Sequence, residues 1–397
     1  MVASVAYVDP GNVATNTTAG SEFGYALVWV VVLASIMAVP VQYASARLGV
    51  VTGRSLPQVC RTRMSRPARI AMWLQAEVVA MATDVAEFIG AAVGLHLLFG
   101  IGLLPAGLVT AAVAFGVLAL QRRGHRPFEV GVGAFLALVV LGFGYQLVAV
   151  GLDVGAAAGG LVPSFPAASA LPGASGSSAL LVAVGIVGAT VMPHAIYAHS
   201  GLTAGRARGA GPEGRARLLR FQRTEVVAAL TLAGLVNLSM LLVAAGLSSR
   251  PGAAVVDGLE ATHAELASAV GGTAALAFAA ALLASGLSSA AVGTYSGQVV
   301  MDGFVDVRLP LLARRTATML PALVLLGVGA DPTIALVGSQ VVLSFGIPFA
   351  LVALLWVTRG ADAVGGRVAG RSLRLSLAVV SVVVVALNAV LVVEVLA

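Results

Sequence analysis

Long apolar runs separated by short polar segments make up almost the whole chain. Uncharged stretches occupy 24–46, 97–121, 130–152, 226–249, 266–301, 332–358 and 375–393. A helix needs about 20 mostly apolar residues to cross a hydrocarbon layer of ~30 Å, so each of these runs predicts a transmembrane span. Shorter or interrupted apolar stretches at 1–16, 179–200 and 316–330 predict three more. The run 70–98 is as long, although it carries Glu77, Asp84 and Glu87. The pattern therefore predicts an all-α integral membrane protein of about 11 spans.

Composition agrees. Of 397 residues, 59% are apolar and 10% charged, against roughly 25% charged in a soluble domain. The chain has no lysine, so all 23 cations are arginines, and they fall between the apolar runs. Alternating the loops puts Arg47–Arg69, Arg122, Arg123, Arg126, Arg206–Arg223, Arg308, Arg314, Arg315, Arg359, Arg367, Arg371 and Arg374 on one side. The other side has Arg250 alone, beside Asp257, Glu260 and Glu265. By the positive-inside rule the rich side is cytoplasmic, which predicts an internal N-terminus and an external C-terminus. The excess of positive charge thus reads as an orientation signal in a membrane, not as a surface for nucleic acid, and the bias towards Ala, Arg, Gly and Val suggests a bacterial genome, so a bacterial cytoplasmic membrane is expected. Cys60, the single cysteine, has no internal partner for a disulfide and reads as chemically silent.

The stretch 153–178 is rich in Gly, Ala, Pro and Ser and predicts an external loop. It separates a first repeat at 1–152, holding spans one to five, from a second at 179–358, holding spans six to ten. Residues 359–397 supply a cytoplasmic loop and the eleventh span. The first span of each half carries a helix breaker: Asp9-Pro10-Gly11-Asn12 in one, Val191-Met192-Pro193-His194 in the other. Proline removes a backbone donor and clashes with the preceding turn. In hydrocarbon the freed carbonyls need partners, so such breaks persist where they face a cavity or an ion. Paired breaks at matching positions of two halves point to a substrate site near the midplane.

The side chains at the breaks suit a metal. Asp9 offers a carboxylate, Asn12 a neutral oxygen, Met192 a thioether, and the carbonyl near Ala189 a further oxygen. Oxygen alone favours magnesium, calcium or manganese, whereas a thioether favours softer transition ions. In span three, Glu77, Asp84 and Glu87 lie within ~80° of one another on a helix, forming one polar stripe. Aligned intramembrane acids are expected of proton relays, and also of salt-bridged struts. Their expected partners are the arginines at the inner end of span nine. His194 and His199 are five apart, a spacing at which two helical residues do not share an ion.

Taken together these residues resemble the Nramp family of proton-coupled divalent-metal transporters. Asp9-Pro-Gly-Asn12 with Thr15, Thr83-Asp84-Val-Ala-Glu87, Gly188-Ala-Thr-Val-Met-Pro-His194 with Tyr197 and His199, and Ser339-Gln-Val-Val-Leu-Ser344 followed by Ile347-Pro-Phe-Ala350 carry the resemblance. It implies a LeuT-like fold of two inverted five-helix repeats with discontinuous helices 1 and 6. It implies that Asp9, Asn12, Met192 and the Ala189 carbonyl hold the metal, with Gln340 joining on occlusion. Glu77, Asp84, Glu87, His194, Arg314 and Arg315 would form the proton-linked network, with Asn237 as a neutral member. The implied activity is import of manganese or iron(II), with cobalt and cadmium as further ions that suit the ligands, driven by protons through alternating access. No cofactor and no obligate protein partner is implied beyond the transported ions and the bilayer. Eight residues precede Asp9, which is ~12 Å of helix; family members have a longer first half-helix, so a misassigned start codon is the expectation.

Other functions fit less well. No helical His-Glu-x-x-His exists, and a chain without lysine has no phosphate-cradling Gly-x-x-x-x-Gly-Lys loop. The nearest rival is a carrier of the same fold with another cargo, magnesium or an amino acid.

Overall fold

The computed structural model describes residues 7–121, 125–166, 178–207, 210–250, 258–307, 310–359 and 369–396. The first six residues of span one, Arg122, Arg123, Arg208, Asp257, Arg308, Arg367 and the middle of the 153–178 loop lie outside that set. Helices account for nearly all the described residues, and no strand occurs among them. In chain order they are α1 (Pro10–Phe23), α2 (Val28–Thr52), α3 (Leu56–Arg63), α4 (Arg66–Phe99), α5 (Leu103–Gln121), α6 (His125–Val150) and α7 (Val154–Gly159). There follow α8 (Ala179–Val191), α9 (Pro193–Ala204), α10 (Pro212–Ser248), α11 (Gly258–Ala269), α12 (Gly272–Phe304), α13 (Leu311–Gly327), α14 (Pro332–Arg359) and α15 (Arg371–Leu396).

Among the described residues eight candidate spans are long and apolar enough to cross a membrane, α8 and α9 counting together as one. The other three expected spans are shorter. α1 is described only from the break onward, α5 is apolar over Leu103–Gly116, and α13 has 17 residues. At 1.5 Å per residue α13 reaches about 26 Å, and its first turns carry Arg314 and Arg315, so its apolar part is shorter still. The sequence pattern also missed three short helices outside the spans. α3 lies in the first arginine-rich loop, where Ser55 and Gln58 form a reciprocal capping box. α7 follows span five, and α11 precedes span eight, ending before Gly271 at φ 120°. The apolar run predicted at 266–301 therefore begins in one helix and continues in another.

Close packing rests on small residues. A Cβ on Gly90 of α4 would collide with the Pro10 ring, and one on Gly94 would sit 2.6 Å from the Leu283 backbone nitrogen in α12. Two large buried clusters result. One gathers Val8, Val13, Phe88, Met192, Met240 and Phe278; the other gathers Leu27, Leu48, Tyr197, Phe304, Ile347 and Leu354. The broken helices are thus walled in by α4, α10, α12 and α14.

Candidate metal and proton site

The first break leaves residues 7–9 outside the helix, and Asp9 caps α1. Asp9 Oδ1 accepts from the Asn12 backbone N–H at 2.7 Å and from Asn12 Nδ2 at 2.9 Å. Carbonyls freed by the break find side-chain donors: Asn237 Nδ2 reaches Tyr7 O at 3.2 Å, and Ser285 Oγ reaches Val8 O at 2.7 Å. Thr15 Oγ1 bonds back to Gly11 O at 2.9 Å.

The second break is sharper. α8 ends and α9 begins at a single residue, Met192, with φ 31° and ψ 101°. A non-glycine residue held at positive φ costs on the order of 1–3 kcal/mol and persists only where its surroundings fix it. Met192 is completely buried, as are Asp9 and Asn12.

Asn12 joins the two breaks, because its Nδ2 also donates to Ala189 O at 3.1 Å. Gln340 of α14 lies against both: a Cβ on Gly11 would collide with its side-chain amide, and one on Gly188 with its backbone carbonyl. Asp9 Oδ2, Asn12 Oδ1 and Gln340 Oε1 are buried without a hydrogen-bond partner. Three bare oxygens shielded from water are an unfavourable arrangement, each costing about 1–3 kcal/mol, and a cation would relieve it. Among the described residues no three His, Cys, Asp or Glu side chains converge on one point. The groups at the breaks that could hold an ion are the mixed set of carboxylate, amide, carbonyl and thioether.

Beside this cluster runs a chain of polar groups. His194 Nδ1 lies 3.1 Å from Thr83 Oγ1, next to Asp84 in sequence. Asp84 Oδ1 accepts from Arg315 Nη1 at 2.7 Å, with both side chains almost fully buried. The same Nη1 reaches Thr294 Oγ1 at 3.2 Å, and Arg314 Nη1 reaches Thr294 O at 3.2 Å. Arg314 Nη2 meets Glu77 Oε2 at 3.4 Å, and Trp73 Nε1 donates to Glu77 Oε1 at 3.3 Å. Arg314 also borders a cavity of about 370 Å³ lined by Tyr295, Gln298, Asp302 and Val307. Glu87 is buried against α12, where Gly293 leaves room for its carboxylate and Gly297 leaves room for Arg314.

The structure separates Asn237 from that chain; its side-chain amide serves the Tyr7 carbonyl at the first break. His199 lies apart as well, 3.2 Å from Gln42 Oε1. Sequence reasoning passed over Thr294 and Ser285, whose hydroxyls bond to Arg315 and to the Val8 carbonyl. Their only signal is a run of small and hydroxyl residues, Ser285 to Thr294, inside an otherwise apolar span.

Comparison with known proteins follows the same lines. Residues 1–394 match the family model described as natural resistance-associated macrophage protein-like, Nramp. The chain is 45% identical over 396 residues to the divalent metal cation transporter MntH of Deinococcus radiodurans, covering 100% of this chain and 89% of that protein. It is 47% identical over 395 residues to the protein of the same name in Mycobacterium tuberculosis, covering 98% and 89%. The crystal structure of the Eremococcus coleocola manganese transporter with an aromatic bis-isothiourea compound superposes with a TM-score of 0.82 at 32% identity, covering 98% of this chain and 84% of that one. MhsT in complex with L-phenylalanine matches at 16% identity with a TM-score of 0.62, covering 97% and 96%, a likeness of fold alone.

Proposed function

Because this chain belongs to the Nramp family, we propose that it imports divalent transition-metal ions, manganese and iron(II) first among them, by alternating access coupled to protons. The single observation that carries the reading is the junction of two broken helices at buried, bare oxygens of Asp9 and Asn12, with Met192 between the half-helices.

Asp9, Asn12, the Ala189 carbonyl and Met192 hold the ion, and Gln340 closes over it. The Asn12 amide N–H groups turn to Asp9 Oδ1 and Ala189 O, two of the oxygens a cation would take. An arriving dication replaces that amide between the same oxygens, and Asn12 turns its Oδ1 inward. The Met192 sulfur gives soft ions an advantage over magnesium and calcium, which prefer oxygen alone. This argues against the rival cargoes, since an amino acid has no use for the pairing of Asp9 with Met192.

A dication beside a carboxylate favours its ionised form, so metal entry releases the proton of Asp9. The carboxylates of this chain, Asp84 and Glu77, offer that proton a way from His194 and Thr83 to the cavity at Arg314, while Arg315 and Arg314 stay charged and hold the two acids in place. Glu87 flanks this route as a second buried acid, and Asn237 stands apart from it as the neutral holder of the first break. The arginine-rich loops face the cytoplasm, which puts the C-terminus outside. Residues 1–152 and 179–358 form two inverted repeats, and no resident cofactor takes part.

Proteoliposomes with a pH-sensitive dye inside test the coupling. Manganese added outside acidifies the interior in the wild-type protein, and Asp84→Asn abolishes the acidification. Manganese entry without any proton movement in the wild type would refute the coupling.

A further inference from the structure

A crevice of about 460 Å³ opens between the start of α4 and the end of α14, lined by Met64, Met72, Pro348, Phe349, Val352 and Trp356. It is open to the surroundings: Phe349 is 50% exposed, Val352 56% and Trp356 43%. Its lining is apolar from end to end, yet its rim is cationic. Arg63 precedes Met64 directly and Arg66 follows two residues later, both exposed. On α14 the residues Phe349, Val352, Trp356 and Arg359 are spaced i, i+3, i+7 and i+10, so the apolar stripe ends one turn later in an exposed guanidinium. Arg69 lies one turn before Met72, and its Nε is shielded from water without a protein acceptor. Among the described residues none of Arg63, Arg66 and Arg359 forms an ion pair, although Arg61, Arg314 and Arg315 do.

We infer that this crevice is a binding site for an anionic phospholipid, with an acyl chain along Met72, Val352 and Trp356 and the headgroup phosphate between Arg66 and Arg359. A zwitterionic lipid fills the apolar part equally well, but it brings no net charge to the guanidinium groups. Basic pockets between helix ends on the arginine-rich side of a membrane protein select anionic headgroups in this way. Tryptophan suits the same depth, since its ring sits at the level where chain meets headgroup. The site adjoins the transport machinery. Gln75 of α4 donates to Gly346 O of α14 at 3.4 Å, and Gly346 packs against Pro193 at the second break. A lipid in the crevice therefore braces the contact between α4 and α14 next to the break.

Native mass spectrometry of the full chain, titrated with phosphatidylglycerol and phosphatidylcholine of identical acyl chains, tests the assignment. The wild type retains phosphatidylglycerol in preference. The double variant R66Q/R359Q loses about 30-fold of that preference, at roughly fivefold for each arginine near an anionic surface. A control of equal charge loss, R217Q/R220Q, keeps the preference. Val352→Trp fills the crevice and lowers retention of both lipids. The proposal fails if the preference survives R66Q/R359Q, if R217Q/R220Q removes it equally, or if Val352→Trp leaves retention unchanged.

Discussion

Asn12 Nδ2 lies 3.1 Å from the Ala189 carbonyl, so one side chain stitches the two broken helices together across 177 positions of sequence. The same amide holds Asp9. An ion that replaces it gains the Asn12 oxygen as a ligand, and Asn12→Ala removes both the stitch and the ligand. Manganese affinity measured by calorimetry should fall at least about tenfold in Asn12→Ala, which is ~1.4 kcal/mol. Unchanged affinity would place the ion elsewhere.

The ion pair of Asp84 with Arg315, at 2.7 Å and deeply buried, should behave differently from that of Glu77 with Arg314, at 3.4 Å and partly exposed on the Glu77 side. Removing one partner of a buried pair strands the other charge and costs about 3–5 kcal/mol. Thermal unfolding in detergent should therefore show a larger loss for Arg315→Gln than for Arg314→Gln. The double variant D84N/R315Q should recover most of that loss. Equal losses for the two single variants would contradict the ranking.

Gly90 and Gly116 make a paired test of packing. A methyl group at Gly90 meets the Pro10 ring, whereas one at Gly116 meets nothing within 4 Å. Overpacking at Gly90→Ala should cost about 1–3 kcal/mol. Gly116→Ala should gain up to ~1 kcal/mol of helix propensity. Melting temperatures shifted in opposite directions are the expected outcome, and two shifts of the same sign would count against the contact at Pro10.

Cys60 lies in α3, outside the spans, and is fully buried. Burial pushes its thiol up to about 12, against a smaller opposing pull from Arg63. The thiolate is the reactive form, so labelling by a maleimide should be slow in the folded protein and should still climb without levelling off from pH 7 to pH 9. Unfolding in denaturant should restore labelling. Rapid labelling that levels off above pH 8.5 in the folded protein would show an open, ordinary thiol.

Much of this was readable in the sequence because membrane-spanning helices are written in length and polarity. Asp9-Pro10-Gly11 and Met192-Pro193 announced the breaks, since proline and an acid have no cheap place inside an apolar span. The stripe of Glu77, Asp84 and Glu87 announced a polar face on α4, and the arginines of α13 were its evident partners. What stayed hidden depends on which small residue meets which neighbour. Gly293 and Gly297 look like ordinary small residues until Glu87 and Arg314 fill the space beside them. Ser285 and Asn237 read as isolated polar residues, and only the unwound segment at Tyr7 and Val8 gives them carbonyls to bind. The helices α3, α7 and α11 were hidden for another reason: all three are too short to register as spans, and α3 and α11 are polar as well.

If Asp9 and Met192 hold the transported ion, manganese uptake into proteoliposomes under an inward proton gradient depends on both. Wild type, Asp9→Ala and Met192→Ala would be compared with and without excess calcium or magnesium. Uptake in the wild type should resist both competitors, Asp9→Ala should show none, and uptake in Met192→Ala should be suppressed by calcium or magnesium. Uptake that persists in Asp9→Ala, or a Met192→Ala protein as indifferent to the hard ions as the wild type, would contradict that role for the two residues.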